Sequence, residues 1–151
     1  MRILVQLVKQ ASVSIEGKEI SRIGRGFLLL VGLTPGDDLP LAKKMAEKVV
    51  KLRVFPDENG KTNLSLKDIG GNILSVSQFT LYGSAKEGNR PAFVLAMRPE
   101  EARGLYGQFF DYLKELHPEA QNGVFQADMQ VSLINDGPFT LMLDSKELFG
   151  R

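Results

Sequence analysis

Ile3, Val5 and Leu7 alternate with Arg2, Leu4 and Gln6, the two-residue period of a strand. Val13 and Ile15 carry the pattern on to Glu16-Gly17-Lys18-Glu19. A Gly-X pair suits the two central positions of a type II′ turn, so Ile20 to Ile23 is predicted to return antiparallel. The next apolar run, Phe27 to Leu33 (FLLLVGL), does not alternate. A strand covered on both faces reads this way, which places it at the centre of a sheet.

The period then changes to that of a helix. Leu41, Met45 and Val49 form one apolar row with Ala42, Ala46 and Val50 beside it, while Lys43, Lys44, Glu47, Lys48 and Lys51 fall outside the stripe. Asp37 or Asp38 is positioned to cap this helix, and Pro40 fits its first turn. The lysines read as a solvated face, diluted by Glu47 and the acidic cap. A second helix starts at Pro99-Glu100-Glu101, buries Ala102, Leu105, Phe109, Leu113 and Leu116, and closes before Pro118. Gly104 and Gly107 each cost it about 1 kcal/mol relative to alanine, which allows a close approach by another element or simple tolerance.

Between the helices, Leu52 to Phe55 reads as a short strand and Pro56 to Gly60 as a turn. Asn63 to Asn72 reads as irregular, and Ile73 to Phe79 as a strand. A polar loop from Gly83 to Arg90 precedes Phe93 to Ala96, a short strand. Near the end, Met129, Val131 and Leu133 alternate with Gln130 and Ser132, and Phe139, Leu141 and Leu143 with Thr140, Met142 and Asp144. Asn135-Asp136-Gly137-Pro138 separates these runs and reads by itself as a tight connection between two strands. The whole chain, 1–151, therefore reads as one α+β domain: mostly antiparallel strands, barrel-like or in two packed sheets, with two main helices.

Composition narrows the chemistry. The 151 residues, 43% hydrophobic and 25% charged, are ordinary for a soluble globular domain. No apolar run approaches the roughly 18 residues of a membrane span, and the amino terminus lacks a signal-peptide pattern. The absence of cysteine removes disulfides, thiol catalysis and thiolate metal sites, and suits a reducing cytoplasm. With 19 basic and 18 acidic residues, a polyanionic partner has to be held by a local patch, for which Lys86 and Arg90 are the candidates.

His117 is the only histidine and sits at the end of the second helix, where a cation complements the dipole. No metal-ligand spacing, phosphate-binding glycine loop or nucleophile-base pair is visible, so no metal and no cofactor are expected. What remains is hydroxyls (Ser77, Thr80, Thr140), the Gln78 amide and backbone N–H groups. Such groups orient a substrate and stabilise an oxyanion but activate water weakly.

Two separated stretches carry a resemblance: Ser77-Gln78-Phe79-Thr80-Leu81-Tyr82-Gly83, and downstream Asn135-Asp136-Gly137-Pro138-Phe139-Thr140. Together with MRILVQLV, ASVSIEG, KTNLSLKDIGG and ADMQVSLINDGP, they make essentially the whole chain resemble the D-aminoacyl-tRNA deacylases, which remove wrongly attached D-amino acids from tRNA. The resemblance implies a homodimer that binds the 3′-terminal adenosine of aminoacyl-tRNA and cleaves the ester to the terminal ribose, with help from the neighbouring 2′-hydroxyl. It implies that Ser77, Gln78, Phe79 and Thr80 form the catalytic end of the pocket and that Phe125 and Met129 contact adenine. Gly137 and Pro138, joined by a cis bond, would reach into the other subunit's pocket to screen chirality. It also implies cleavage of glycyl-tRNA, since glycine has no side chain to exclude. A catalytically weak module that binds the tRNA 3′ end on the same fold is the alternative.

Two positions depart from the family pattern. Arginine is common where this chain has Leu7 and is associated with fixing the Gly-Pro geometry, a role left to Arg2, Arg22 or Arg25. Glycine is usual where this chain has Gln126, and the larger side chain is expected to narrow the pocket.

Overall fold

Strand β1 (Arg2–Ile15) has two edges, and three strands share them. In the computed structural model, which describes residues 1–151, strand β8 (Gln130–Asp144) lies antiparallel along one edge from Arg2 to Ser14. The other edge is divided between β3 (Gly26–Gly32), which takes Arg2 to Val8, and β2 (Lys18–Ile23), which takes Ala11 to Ile15. On the far side of β3 lie β6 (Asn72–Ser77) and the two-residue β7 (Gln121–Asn122), both parallel to their neighbours. Strand β2 curls back against β6 and β7, so the sheet nearly closes into a barrel. A separate antiparallel pair, β4 (Arg53–Pro56) and β5 (Thr62–Ser65), stands beside it.

Strand β3 is central, and its lack of alternation has the expected cause. Phe27, Leu29 and Val31 face the main core with helices α1 (Leu39–Lys51) and α2 (Pro99–Leu116), whereas Leu28 faces a second core inside the curl with Val8, Val13, Leu74 and Val76. Phe27 stacks on Phe55 at 5.1 Å between ring centres, and burying a side chain of this size stabilises the fold by about 1.5–3 kcal/mol. Gly26 lets β6 start close alongside: a Cβ there would sit 1.8 Å from the Asn72 carbonyl oxygen.

Asp38 caps α1 by accepting from the Leu41 N–H at 3.0 Å, while Asp37 accepts from the Met1 ammonium at 2.9 Å. The stripe Leu41, Ala42, Met45, Ala46 and Val49 is buried, as is Ala102, Leu105, Phe109 and Leu113 on α2. Leu116, the last residue of α2, is more exposed than the stripe predicts. Nothing approaches the Cβ positions of Gly104 or Gly107, so within the chain no close packing requires them. No helix is long and apolar enough to cross a membrane.

The structure revises several local expectations. Glu16 and Gly17 both have positive φ (49° and 78°), which makes the first hairpin turn type I′ and not type II′. The stretch read as irregular contains β5, whose pairing with β4 is not periodic enough to show in so short a run. Phe93 to Ala96 is a turn closed by the Ala96 N–H on the Phe93 carbonyl at 3.0 Å, not a strand. A third, short helix α3 (Ser145–Phe149) follows β8 and is capped by Asp144.

The largest revision concerns Asn135 to Pro138, which connects no hairpin. Both flanking runs belong to β8 and pair in the same direction with β1, Asn135 opposite Val8 and Thr140 opposite Gln6. The residues Asp136 to Phe139 bulge outward opposite the single residue Leu7. β1 is 14 residues long, so it can template both halves of β8 on one edge.

Candidate functional site

The carboxyl ends of the parallel strands β3 and β6 open into a cavity of about 700 Å³. Val31 and Val76 form its floor. Ser77 to Phe79, the amino end of α2, and the loop from Phe125 to Met129 form its walls. The wall is mostly apolar with a few polar groups, the usual character of a small-molecule site.

Ser77 ends β6, half-buried, and the Gln78 N–H extends the ladder by one bond to the Val31 carbonyl at 2.7 Å. The chain then tightens into a 3-10 turn, Phe79–Tyr82, that folds over Gly32, where a Cβ would lie 3.0 Å from Leu81 Cβ. This turn leaves Phe79 54% exposed at the cavity rim, with its ring edge-on to Phe93 at 5.2 Å. Thr80 is thus in a turn and not on a strand. Its hydroxyl oxygen accepts from Gln78 Nε2 at 2.6 Å, and it is not on the cavity wall.

Across the cavity, the loop after β7 is held to β6 by the Gly123 N–H on the Ser75 carbonyl at 2.9 Å. The Met129 sulfur packs where Gly123 has no side chain and accepts the Val124 N–H at 3.4 Å. Phe125 rests on α2, its ring 6.0 Å from that of Tyr106 and 4.9 Å from the Arg103 guanidinium carbon. Tyr106 is anchored in turn: its hydroxyl bonds to Ser75 Oγ at 2.9 Å and donates to Asn122 Oδ1 at 2.5 Å. Burial pushes the Tyr106 phenol well above its usual range, so it stays a neutral hydroxyl.

Two ionisable side chains on the wall, Arg98 and Asp128, escaped the sequence reading. Arg98 immediately precedes the proline that starts α2, and Asp128 lies in the Ala-Asp-Met run, but neither has a local pattern that signals a wall position. His117 lies elsewhere. It follows α2 and donates from Nε2 to Asn72 Oδ1 at 3.0 Å, and burial lowers its pKa. No three His, Asp or Glu side chains converge on a point. The cavity therefore offers hydroxyl and amide groups, aromatic platforms, one cation and one carboxylate.

The remaining candidates lie away from this chain's cavity. Lys86 and Arg90 are exposed in the loop between Gly83 and Pro91. Gly137 and Pro138 are exposed on the β8 bulge and do not line the wall. The peptide bond between them is cis, and Gly137 has φ +137°, where a Cβ would lie 3.1 Å from the Phe139 nitrogen. None of the three arginines proposed to hold this motif does so. Arg2 pairs with Asp144 at 3.0 Å and donates to the Leu81 carbonyl, Arg22 pairs with Glu19, and Arg25 lies over Phe55. The bulge is closed instead by Asn135, which donates to the carbonyls of Leu7 and Phe139 and accepts from the Phe139 N–H.

The sequence profile of the family described as D-Tyr-tRNA(Tyr) deacylase matches residues 4–144. A D-aminoacyl-tRNA deacylase of Lactobacillus helveticus is 55% identical over 144 residues, covering 95% of this chain and 99% of that protein. A D-aminoacyl-tRNA deacylase of Clostridium novyi is 53% identical over 149 residues, covering 99% of this chain and all of the relative (100%). Among solved structures, one described as c-Myc DNA Unwinding Element Binding Protein superposes with a TM-score of 0.90 at 42% identity, over 95% of this chain and 98% of that one. A probable eukaryotic D-amino acid tRNA deacylase shares the fold at a TM-score of 0.83 and 16% identity, over 94% of this chain and 97% of that one.

Proposed function

The chain belongs to the D-Tyr-tRNA(Tyr) deacylase family, and on that premise we propose that it is a hydrolase that cleaves the ester of D-aminoacyl-tRNA in the cytoplasm. One observation carries the reading beyond family membership. Two segments far apart in sequence, Ser77 to Phe79 and Phe125 to Met129, wall one cavity of about 700 Å³. Phe125 and Met129 supply an aromatic face and a polarizable sulfur suited to the terminal adenine, and Ser77 to Phe79 face the ester end.

Hydrolysis proceeds by addition of water to the ester carbonyl carbon. The tetrahedral intermediate collapses with cleavage of the acyl–oxygen bond, and the proton given up by the water passes to the ribose oxygen. Free D-amino acid and tRNA result. The protein's share is positioning and oxyanion stabilisation, and the terminal 2′-hydroxyl, adjacent to the ester, relays the proton. The scarcity of strong bases on the wall supports this division of labour.

Selectivity is assigned to a second copy of the chain. Gly137 and Pro138 are exposed and absent from the wall of their own cavity, and the outward side chains of Ile134 and Met142 beside them are 47% and 42% exposed. A homodimer would cover these apolar positions and carry Gly137-Pro138 to the partner's cavity. There its backbone crowds an L-side chain and leaves a D-side chain room. Exclusion by sterics needs no favourable contact with the D-side chain, so D-specificity is broad, and it admits glycine.

A second reading, a module that binds a nucleic-acid 3′ end with little turnover, draws on the description of the 42% identical structure as a DNA-element-binding protein. Purified protein mixed with D-tyrosyl- and L-tyrosyl-tRNA separates the two. Rapid release of D-tyrosine alone supports the deacylase, and terminal-adenosine binding without release from either supports the module.

A further inference from the structure

Gln126 lines the cavity with its backbone in the left-handed region, φ +64°, a conformation that side-chain-bearing residues rarely adopt. Its side chain has one firm partner: Arg103 on α2 donates from Nη2 to Gln126 Oε1 at 2.7 Å. A guanidinium has donors only, so the amide oxygen must face Arg103 and the amide nitrogen must face away. Arg103 also lies 4.9 Å from the centre of the Phe125 ring, so one cation orients two consecutive wall residues. Phe125 is further braced by Tyr106, one helical turn beyond Arg103, and the Ala127 N–H closes the loop on the Val124 carbonyl at 3.2 Å. The aromatic platform and the amide beside it are therefore both oriented by contacts within the chain itself.

The two N–H donors of Gln126 have no partner within the chain, and adenine's ring nitrogens N1, N3 and N7 are all acceptors. We propose that Gln126 is a substrate-binding residue whose amide nitrogen donates a hydrogen bond to a ring nitrogen of the terminal adenine, with Arg103 as the positioning residue that turns the donor toward it. The inference rests on reading this cavity as the adenosine pocket. It gives the side chain of Gln126 a function: a left-handed turn presents an amide on the wall.

The test uses adenosine carrying D-tyrosine through a 3′-amide, which is not hydrolysed, and its 1-deaza, 3-deaza and 7-deaza counterparts, with affinity read by calorimetry. Wild-type protein should bind one deaza ligand about two- to tenfold more weakly than the parent, the range for one neutral hydrogen bond. Gln126→Glu keeps an acceptor for Arg103 but has no amide donor, so the parent should lose that factor and the difference between the two ligands should vanish. Arg103→Lys, another pure donor, should preserve the difference, and Arg103→Met should shrink it. Equal wild-type affinity for all four ligands overturns the proposal, as does an undiminished difference in Gln126→Glu. A wild-type protein that binds none of the four removes the adenosine-pocket reading itself, and the proposal with it.

Discussion

The side-chain amide of Asn135 donates to the backbone carbonyl of Leu7 at 2.9 Å, across the point where β8 leaves its register with β1. The same amide donates to the Phe139 carbonyl at 2.8 Å and its oxygen accepts the Phe139 N–H at 3.2 Å. One side chain thus satisfies the backbone groups that the bulge would strand. Asn135→Ala removes three hydrogen bonds, all of them to partly buried backbone groups. The expected loss is about 1–3 kcal/mol of stability in urea unfolding. Cleavage of L-tyrosyl-tRNA should rise relative to D-tyrosyl-tRNA, with adenosine binding little changed. Unaltered D/L selectivity would detach Asn135 from chiral screening.

Thr80 already spends its hydroxyl oxygen on Gln78 and lies off the wall. Thr80→Ala should therefore keep substantial deacylase activity, and so should Asp128→Asn, which removes the wall's carboxylate. A tRNA ending in 2′-deoxyadenosine with a 3′-linked D-amino acid should be cleaved far more slowly by the wild type. Single-turnover rates check all three. Loss of turnover in Asp128→Asn, with binding intact, would replace the RNA-assisted mechanism by general-base catalysis.

Lys86 and Arg90 are exposed in the loop between Gly83 and Pro91, in a chain of net charge +1. We expect tRNA affinity to fall with salt along a shallow slope, because each phosphate contact releases only about 0.7–0.9 counterion. Lys86→Ala with Arg90→Ala should flatten the slope and weaken D- and L-aminoacyl-tRNA equally. A shift in D/L preference would instead place this loop against the amino acid.

Gly137→Ala forces an alanine to φ +137° with its Cβ about 3.1 Å from the Phe139 nitrogen. A strained backbone of this kind costs on the order of 1–3 kcal/mol. The loop should relieve it by moving, so discrimination against L-tyrosyl-tRNA should weaken while the adenosine ligand still binds. Glycyl-tRNA should be cleaved by wild type and variant at similar rates, since no side chain is being excluded.

His117 provides a pH-dependent stability test. Burial lowers its folded-state pKa below the unfolded value of about 6.5, so between the two the unfolded chain binds more protons. Stability should accordingly fall as pH drops through about 6.5. Asp57 and Asp68, held below the usual range by backbone N–H donors, contribute their own loss only below about pH 4. His117→Gln should flatten urea-unfolding stability just below about pH 6.5. An unchanged slope there would mean that another group is responsible.

How much of this was legible in the sequence follows the range of the interactions involved. The stripes of α1 and α2, the acidic cap at Asp37 or Asp38, and the bare apolar run of β3 all arise from neighbours within one or two turns or from simple burial on both faces. Periodicity reports them directly. The two motifs at Ser77 and Gly137 were recognisable by resemblance, and their family with them. Strand β4 was read, but its partner β5 was hidden because it has four residues and irregular register.

What only the tertiary structure decided is which distant segments meet. Asn135 to Pro138 has the composition of a turn, yet it is a bulge, because β1 is long enough to pair with both halves of β8 and Asn135 bonds back to Leu7. Phe125 and Met129 face Ser77 and Gln78 because Gly123 is tied to Ser75, and Gln126 is oriented by an arginine 23 residues away. Local residue type dictates period, caps and turns. Convergence at a site depends on backbone pairing and donor–acceptor matching between segments whose separation leaves no periodic trace in the chain.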